Sequence, residues 1–191
     1  MSIIELKITL NYIHPTVTRI LKVPLNIRLD RLHLIIQAAM GWHNCHLYEF
    51  MAANIGWGVP DPDFGSDTLP ADKTTLQDVM EDTGIKTLNY IYDFGDGWDH
   101  QIKLGEITSL VPGELYPKLI ALSGKCPPED VGGPPGYENF LEAIADPKHP
   151  EHEDIMEWYG SDFDPNTPDT DELKLEVLQL AKKWNPRKSK K

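Results

Sequence analysis

The 191-residue chain is 40% hydrophobic with a formal net charge of −12, the balance of a soluble globular protein able to bury a normal core. No run of about 18 apolar residues occurs, so no membrane span is expected, and MSIIELKITL lacks the basic and apolar regions of a secretory signal. Two cysteines, Cys45 and Cys126, are too few for a disulfide scaffold and fit a reducing cytoplasm.

In chain order, IIELKITL alternates apolar and polar residues and predicts a strand. TRILKVPL predicts a second, with Pro24 ending it or holding it at an edge. A helix follows, with Asp30 as N-cap and Leu32, Ile35, Ile36, Ala39 and Met40 at helical spacing until Gly41 stops it. HLYEFMAA reads as a strand beyond the WHNC turn, and residues 54–72 as a loop rich in Gly, Pro and Asp. TTLQDVM is a short helix capped by Thr74 or Thr75, with Asp78 in its first turn. From residue 112 the pattern is loop and helix: GYENFLEAIAD, then HPEHEDIMEWYG with Pro150 at a first helical position, then TPDTDELKLEVLQLAKKW. Asp169 or Thr170 caps that last helix, and Leu173, Val177 and Leu180 form its apolar stripe.

Between these zones, TLNYIYDF and WDHQIKL form a hairpin that meets at Gly95-Asp96-Gly97. A two-residue loop would pair Asp93 with His100 as an acid–base dyad. A three-residue loop, with Gly97 left-handed, places Tyr90, Tyr92 and Phe94 on one face with Trp98, His100 and Ile102. Asn89, Asp93, Asp99 and Gln101 then share the other face with Ile91 as the apolar exception. A one-residue slip exchanges the faces, so the cleaner apolar–polar division selects the three-residue loop. His100 is then a core histidine opposite Tyr92, and the dyad dissolves.

Other chemical patterns are incomplete. WHNCH brings His43, Cys45 and His46 into one turn that Cys126 and His100 could approach, but the spacing matches no structural zinc motif. HPEHE is neither HExxH nor HxxEH, and the three aspartates of YDFGDGWDH do not follow the calcium-loop spacing. VGGPPGYENF lacks the GK[ST] of a phosphate loop and reads as a rigid loop delivering Tyr137 and Phe140 to the core. Trp42, Trp57, Trp98 and Trp158 serve as core or rim residues, or line a groove. The last ten residues, KKWNPRKSKK, hold six of the Lys and Arg, which leaves 12 basic against 30 acidic residues in the first 181. A body of −18 repels a phosphate backbone, so direct duplex binding by the body is disfavoured and a protein partner is the better expectation.

RLHLIIQAAMGWHNCHLYEF, YIYDFGDGWDHQIKL and CPPEDVGGPPGYENFLEAIADPKHPEHEDIMEWYG, followed by FDP, resemble the pRi-plasmid Orf-three-like family, in order, over roughly residues 12–165. The resemblance implies an α+β fold: a single-domain roll with a mostly antiparallel sheet, a central β-hairpin and several packing helices. It also implies a plasmid or transposon context and no assigned reaction. The domain is expected over residues 1–181, with 182–191 as a basic, disordered tail. Positions that match the family signature include Trp42, His46, Asp93, Asp96, Trp98, His100, Glu129, Asp130 and Tyr137, which are the candidate binding residues. The chain departs from the family where many relatives carry further cysteines, in the stretch reading ALSGK and at Val131, which weakens any cysteine-based metal site. Two functions are expected from this, beside a third that rests on the family context alone, an accessory factor for mobile DNA acting through a protein partner or the basic tail. One is a binding or interaction module, in which Trp98→Ala weakens partner capture. The other is a metal-assisted hydrolase or nuclease using His46, His100, Asp93, Glu129 and Asp130. No cofactor is specified.

Overall fold

Apolar residues alternating along the first two segments make them neighbouring strands of the sheet. The computed structural model describes residues 1–60, 68–160 and 162–185. β1 (Ser2–Leu10) and β2 (Val17–Pro24) form an antiparallel hairpin in which Leu6 lies opposite Leu21 and Ile8 opposite Arg19. β2 ends at Pro24, as expected of a residue with no amide to give the ladder.

α1 (Leu29–Met40) stops at Gly41, whose φ of 85° is the left-handed conformation expected of a helix-terminating glycine. Its start differs from the expectation. Asp30 lies inside the first turn, beside Arg28 at 2.7 Å, and Arg28 is the cap position with no side-chain cap. The free amides of Leu29 and Asp30 bond instead to the carbonyls of Thr74 and Ala71, so tertiary backbone contacts replace a capping side chain.

β3 (Tyr48–Ala52) is followed by two short strands, β4 (Ile55–Gly58) and β5 (Leu69–Pro70), in the zone read as a loop. Ala53 and Asn54 both take positive φ and close the β3–β4 hairpin as a two-residue turn. Residues 61–67 of that zone lie outside the described residues. α2 (Leu76–Thr83) has the expected cap at Thr75, with a reciprocal capping box to Asp78.

β6 (Thr87–Tyr92) and β7 (Trp98–Ser109) form the central hairpin, with Tyr90 opposite His100 and Tyr92 opposite Trp98. The turn is therefore five residues, 93–97, and the pairing is displaced by two from the three-residue loop. An even displacement keeps every side chain on its face, so the apolar–polar division survives. The changes are that His100 faces Tyr90 rather than Tyr92, and that Phe94 leaves the strand. β8 (Lys118–Ser123), missed in a region read as loop and helix, pairs with β2.

Among the described residues eight strands run β5-β4-β3-β6-β7-β1-β2-β8 in one sheet, antiparallel except for β4 with β5. α3 (Gly133–Ala145) begins at Gly133, with proline at its first positions, so VGGPPG is the start of a helix as well as a loop. α4 (His152–Tyr159) starts two residues after Pro150, not on it. α5 (Thr170–Trp184) packs on α1, with the Arg31 guanidinium 5.1 Å from the Trp184 ring centre. This helix extends three residues into the stretch expected as a tail. The architecture is α+β, with α1 and the inward sheet residues sharing one core. No helix among the described residues is long and apolar enough to cross a membrane.

Candidate functional site

Three connecting segments converge: the turn after α1, the 93–97 turn, and the segment running from Cys126 into α3. Trp42 anchors the first. Its ring is buried and stacks on Tyr92 at 5.1 Å, and its Nε1–H donates to the Pro127 carbonyl at 2.9 Å. Tyr92, the last residue of β6, ties all three together. Its hydroxyl accepts from the Cys45 amide at 3.0 Å and donates to Glu129 Oε1 at 2.5 Å, while Glu129 Oε2 accepts from the His43 amide at 2.8 Å. Burial and then the bond to the Glu129 carboxylate raise the phenol well above its usual range, which keeps it a proton donor.

The turns also need their glycines. Gly133 has φ +68°, and a Cβ there would stand 2.2 Å from the Asp96 carbonyl oxygen. Asp96 Oδ2 accepts from the Gly132 amide at 3.2 Å. The glycine-rich motif thus serves close backbone approach to the hairpin turn rather than a phosphate.

This convergence brings His46, Asp93 and Asp130 together. Asp93 has a left-handed φ of 56°; its carbonyl accepts from Gly97 at 2.7 Å and its Oδ1 from the Gly95 amide at 2.9 Å. That leaves Oδ2, which lies 3.6 Å from His46 Nε2. Asp130, also left-handed at φ 60°, places Oδ1 3.0 Å from the same nitrogen. His46 Nε2 nevertheless has no hydrogen-bond partner. With a carboxylate at 3.0 Å, the shortfall is one of angle rather than distance. The three donor atoms lie within 4.8 Å of one another, and among the described residues they are the one such group able to hold a metal ion.

The remaining sequence candidates fall elsewhere. His100 is 0% exposed, with Nδ1 3.0 Å from the Trp98 carbonyl oxygen and 3.2 Å from that of Tyr90. Burial lowers its pKa to about 4, so it is a neutral core imidazole beneath Trp42. Trp98 is 1% exposed and touches Trp42 from inside the core, where no partner reaches it. Tyr137 is buried against Phe140 and Phe163. Cys126 is buried, its thiol pushed up to about 12, and Cys45 is exposed; the mixed Cys–His group suggested by WHNCH does not assemble. His149 and His152 bond to local backbone, at the Glu151 amide and the Ala143 carbonyl.

Sequence reading did not single out His33, which sits on the inner face of α1. Its Nδ1 is 2.8 Å from the Tyr90 hydroxyl and its Nε2 2.5 Å from Asn44 Oδ1, so it locks the turn that carries His46. The signal was a histidine among the apolar positions of an amphipathic helix, which composition alone does not distinguish from a surface residue.

Comparison with known proteins places these observations in a wider group. A family model described as plasmid pRiA4b ORF-3-like protein matches residues 2–172. The chain is 47% identical over 184 residues to protein y4hQ of Sinorhizobium fredii (strain NBRC 101917 / NGR234), covering 96% of this chain and 94% of that one. The crystal structure of protein MM3350 from Methanosarcina mazei Go1 is similar with a TM-score of 0.79 and 33% identity, over 92% of this chain and 97% of that one.

Proposed function

The chain belongs to the plasmid pRiA4b ORF-3-like family, and on that footing we propose that it is a metal-binding protein with its ion held by His46, Asp93 and Asp130. One observation carries this reading: His46 Nε2 is 3.0 and 3.6 Å from two carboxylate oxygens that it does not hydrogen-bond. Ligand atoms about 2.1 Å from a common ion stand about 3.0 Å apart at octahedral angles and about 3.4 Å apart at tetrahedral ones. One imidazole with two carboxylates suits manganese or zinc. Three protein donors leave positions open, the arrangement used in metal-assisted hydrolysis rather than in a closed structural site. Of the wider set considered from sequence, Glu129 is occupied by Tyr92 and His43, and His100 is sealed in the core.

The test is elemental analysis and calorimetric titration of tag-free protein with Mn²⁺ and Zn²⁺. Near-stoichiometric binding, weakened roughly 10- to 100-fold or more in His46→Gln and Asp130→Asn, is the expected result. Absence of saturable binding of either ion to the folded wild-type chain would remove the proposal.

A second reading, an interaction module, is favoured by Leu47 and Phe94. They are 54% and 56% exposed, and the Asp93 amide bonds the Leu47 carbonyl at 2.9 Å. This apolar pair beside the cluster suits a polypeptide partner. Partner capture that survives Phe94→Ser would count against it.

A further inference from the structure

A groove of about 240 Å³ lies between α3 and α4, and Asp130, one of the three residues of the candidate metal centre, lines it. Val131, Phe140 and Ile155 give it an apolar lining, with Phe140 sealed in the core below. Trp158 stands at right angles to Phe140, 6.1 Å between ring centres, and is 53% exposed. No residue of α4 is fully buried, so the core does not use this indole and the groove can. The volume falls below the roughly 300–1,000 Å³ of small-molecule sites and gives room for a single side chain.

The ionisable lining is of one sign. Asp130 and Glu151 line the groove, and no lysine, arginine or histidine does. Asn139 donates to Glu151 Oε2 at 2.6 Å, which orients the carboxylate of an exposed residue. No cation among the described residues forms an ion pair with Glu151. Glu153 and Asp154 add their charge in the first turn of α4. From Cys126 to Glu172 the chain carries 14 acidic residues against one lysine, Lys148, and no arginine. The field at the groove therefore favours a cation and repels an anion.

We propose that this groove receives an arginine side chain of a polypeptide partner that crosses the His46–Asp93–Asp130 centre. The guanidinium lies against the Trp158 ring and pairs with Glu151, and its methylenes run over Phe140 and Ile155. The assignment deepens the interaction reading and rests on it. Leu47 and Phe94, exposed beside His46 and Asp93, take an apolar residue of the same partner, and Asp130 joins that pair to the groove. It does not depend on whether the centre holds a metal ion.

The test is an NMR titration of the full-length ¹⁵N-labelled chain without added metal, following the Trp158 indole N–H, which is assigned by its loss in Trp158→Phe. The probes are three flexible Gly/Ser peptides that carry one leucine and differ at one position, arginine, citrulline or glutamate, and free agmatine. The arginine peptide is expected to saturate. Citrulline, the same shape without the charge, should bind several-fold more weakly, glutamate not at all, and agmatine more weakly than the arginine peptide. Glu151→Gln keeps the bond to Asn139 and removes only the charge, and is expected to weaken the arginine peptide about two- to fivefold, the range of a partly exposed ion pair. The citrulline peptide should not respond to that variant. No saturable shift with the arginine peptide overturns the proposal, as does a citrulline or glutamate peptide that binds equally well. Agmatine binding as tightly as the peptide would make the occupant a free small cation and overturn it too. Phe94→Ser separates the two readings: a peptide weakened by Phe94→Ser and indifferent to Glu151→Gln keeps the interaction module and removes the groove, and the reverse keeps the groove and removes the apolar pair.

Discussion

Replacing His100 with Phe isolates what a sealed imidazole does to the pH dependence of folding. Nδ1 faces two carbonyl oxygens and so carries the proton of the neutral ring, whereas Nε2 is buried with no partner. A second proton must go to Nε2, and burial lowers the folded pKa to about 4, against ~6.5 for an exposed histidine. The unfolded chain therefore takes up the proton first. The stability contribution is complete above the unfolded pKa and is lost as pH falls from about 6.5 towards 4. Between pH 8 and pH 5 this amounts to about 2 kcal/mol. His100→Phe gives up about 1 kcal/mol of hydrogen bonding at pH 8 but has no proton to take up, so its deficit against the parent shrinks by about 2 kcal/mol on going to pH 5. His33, whose folded pKa also falls to about 4, is common to both proteins and cancels. Urea unfolding followed by circular dichroism at pH 8, 7, 6 and 5 reads the effect directly. Two stability curves that stay parallel across that range would refute the account of His100 as a neutral core group.

Gly133→Ala drives a Cβ to 2.2 Å from the Asp96 carbonyl oxygen at a left-handed φ, and is expected to cost about 2–4 kcal/mol. The melting temperature should fall by about 5–15 °C and metal uptake should drop with it, since the 93–97 turn and Asp130 are held in register by this contact; a melting temperature within about 2 °C of wild type contradicts it. Trp98→Ala empties a site that is 1% exposed and is expected to cost about 3–5 kcal/mol as a cavity. A variant of unchanged denaturation midpoint would show that this indole is not part of the core.

Much of this was legible in the chain, and for identifiable reasons. The two faces of the hairpin follow from period-two alternation, which any even displacement preserves, so the faces were readable and the register was not. The register is set by Asp93, whose side chain bonds the Gly95 amide and whose backbone turns left-handed, lengthening the turn. Gly41 is a local signal and was read directly; the cap of α2 was narrowed to Thr74 or Thr75 with Asp78 in the first turn, and the structure resolves it as a Thr75–Asp78 box. The cap of α1 was not read, because it comes from Thr74 and Ala71, far along the chain. β4 escaped because IGWG carries two glycines, and β8 because only Leu119 and one partly buried leucine mark its inner face. At the site, His46, Asp93 and Asp130 were each singled out. That they, and not His100 or the cysteines, share one point in space depends on three turns meeting through Tyr92 and Glu129, which no spacing in the sequence encodes.

β1 is made well before the sheet around it can be finished. β1 lies between β2 and β7 and β2 between β1 and β8, so the hairpin of residues 2–24 emerges from the ribosome with both ladder edges open, that of β1 until residues 98–109 exist and that of β2 until residues 118–123 do. At translation rates of ~5–20 residues per second, the β1 edge stands unpaired for roughly 4–15 seconds. Glu5 and Lys7, alternating with the buried leucine and isoleucines of β1, place charges along the waiting edge, and charges discourage another nascent chain from pairing there. The seam between the two halves of the sheet is thus a vulnerability during synthesis that disappears once folding is complete.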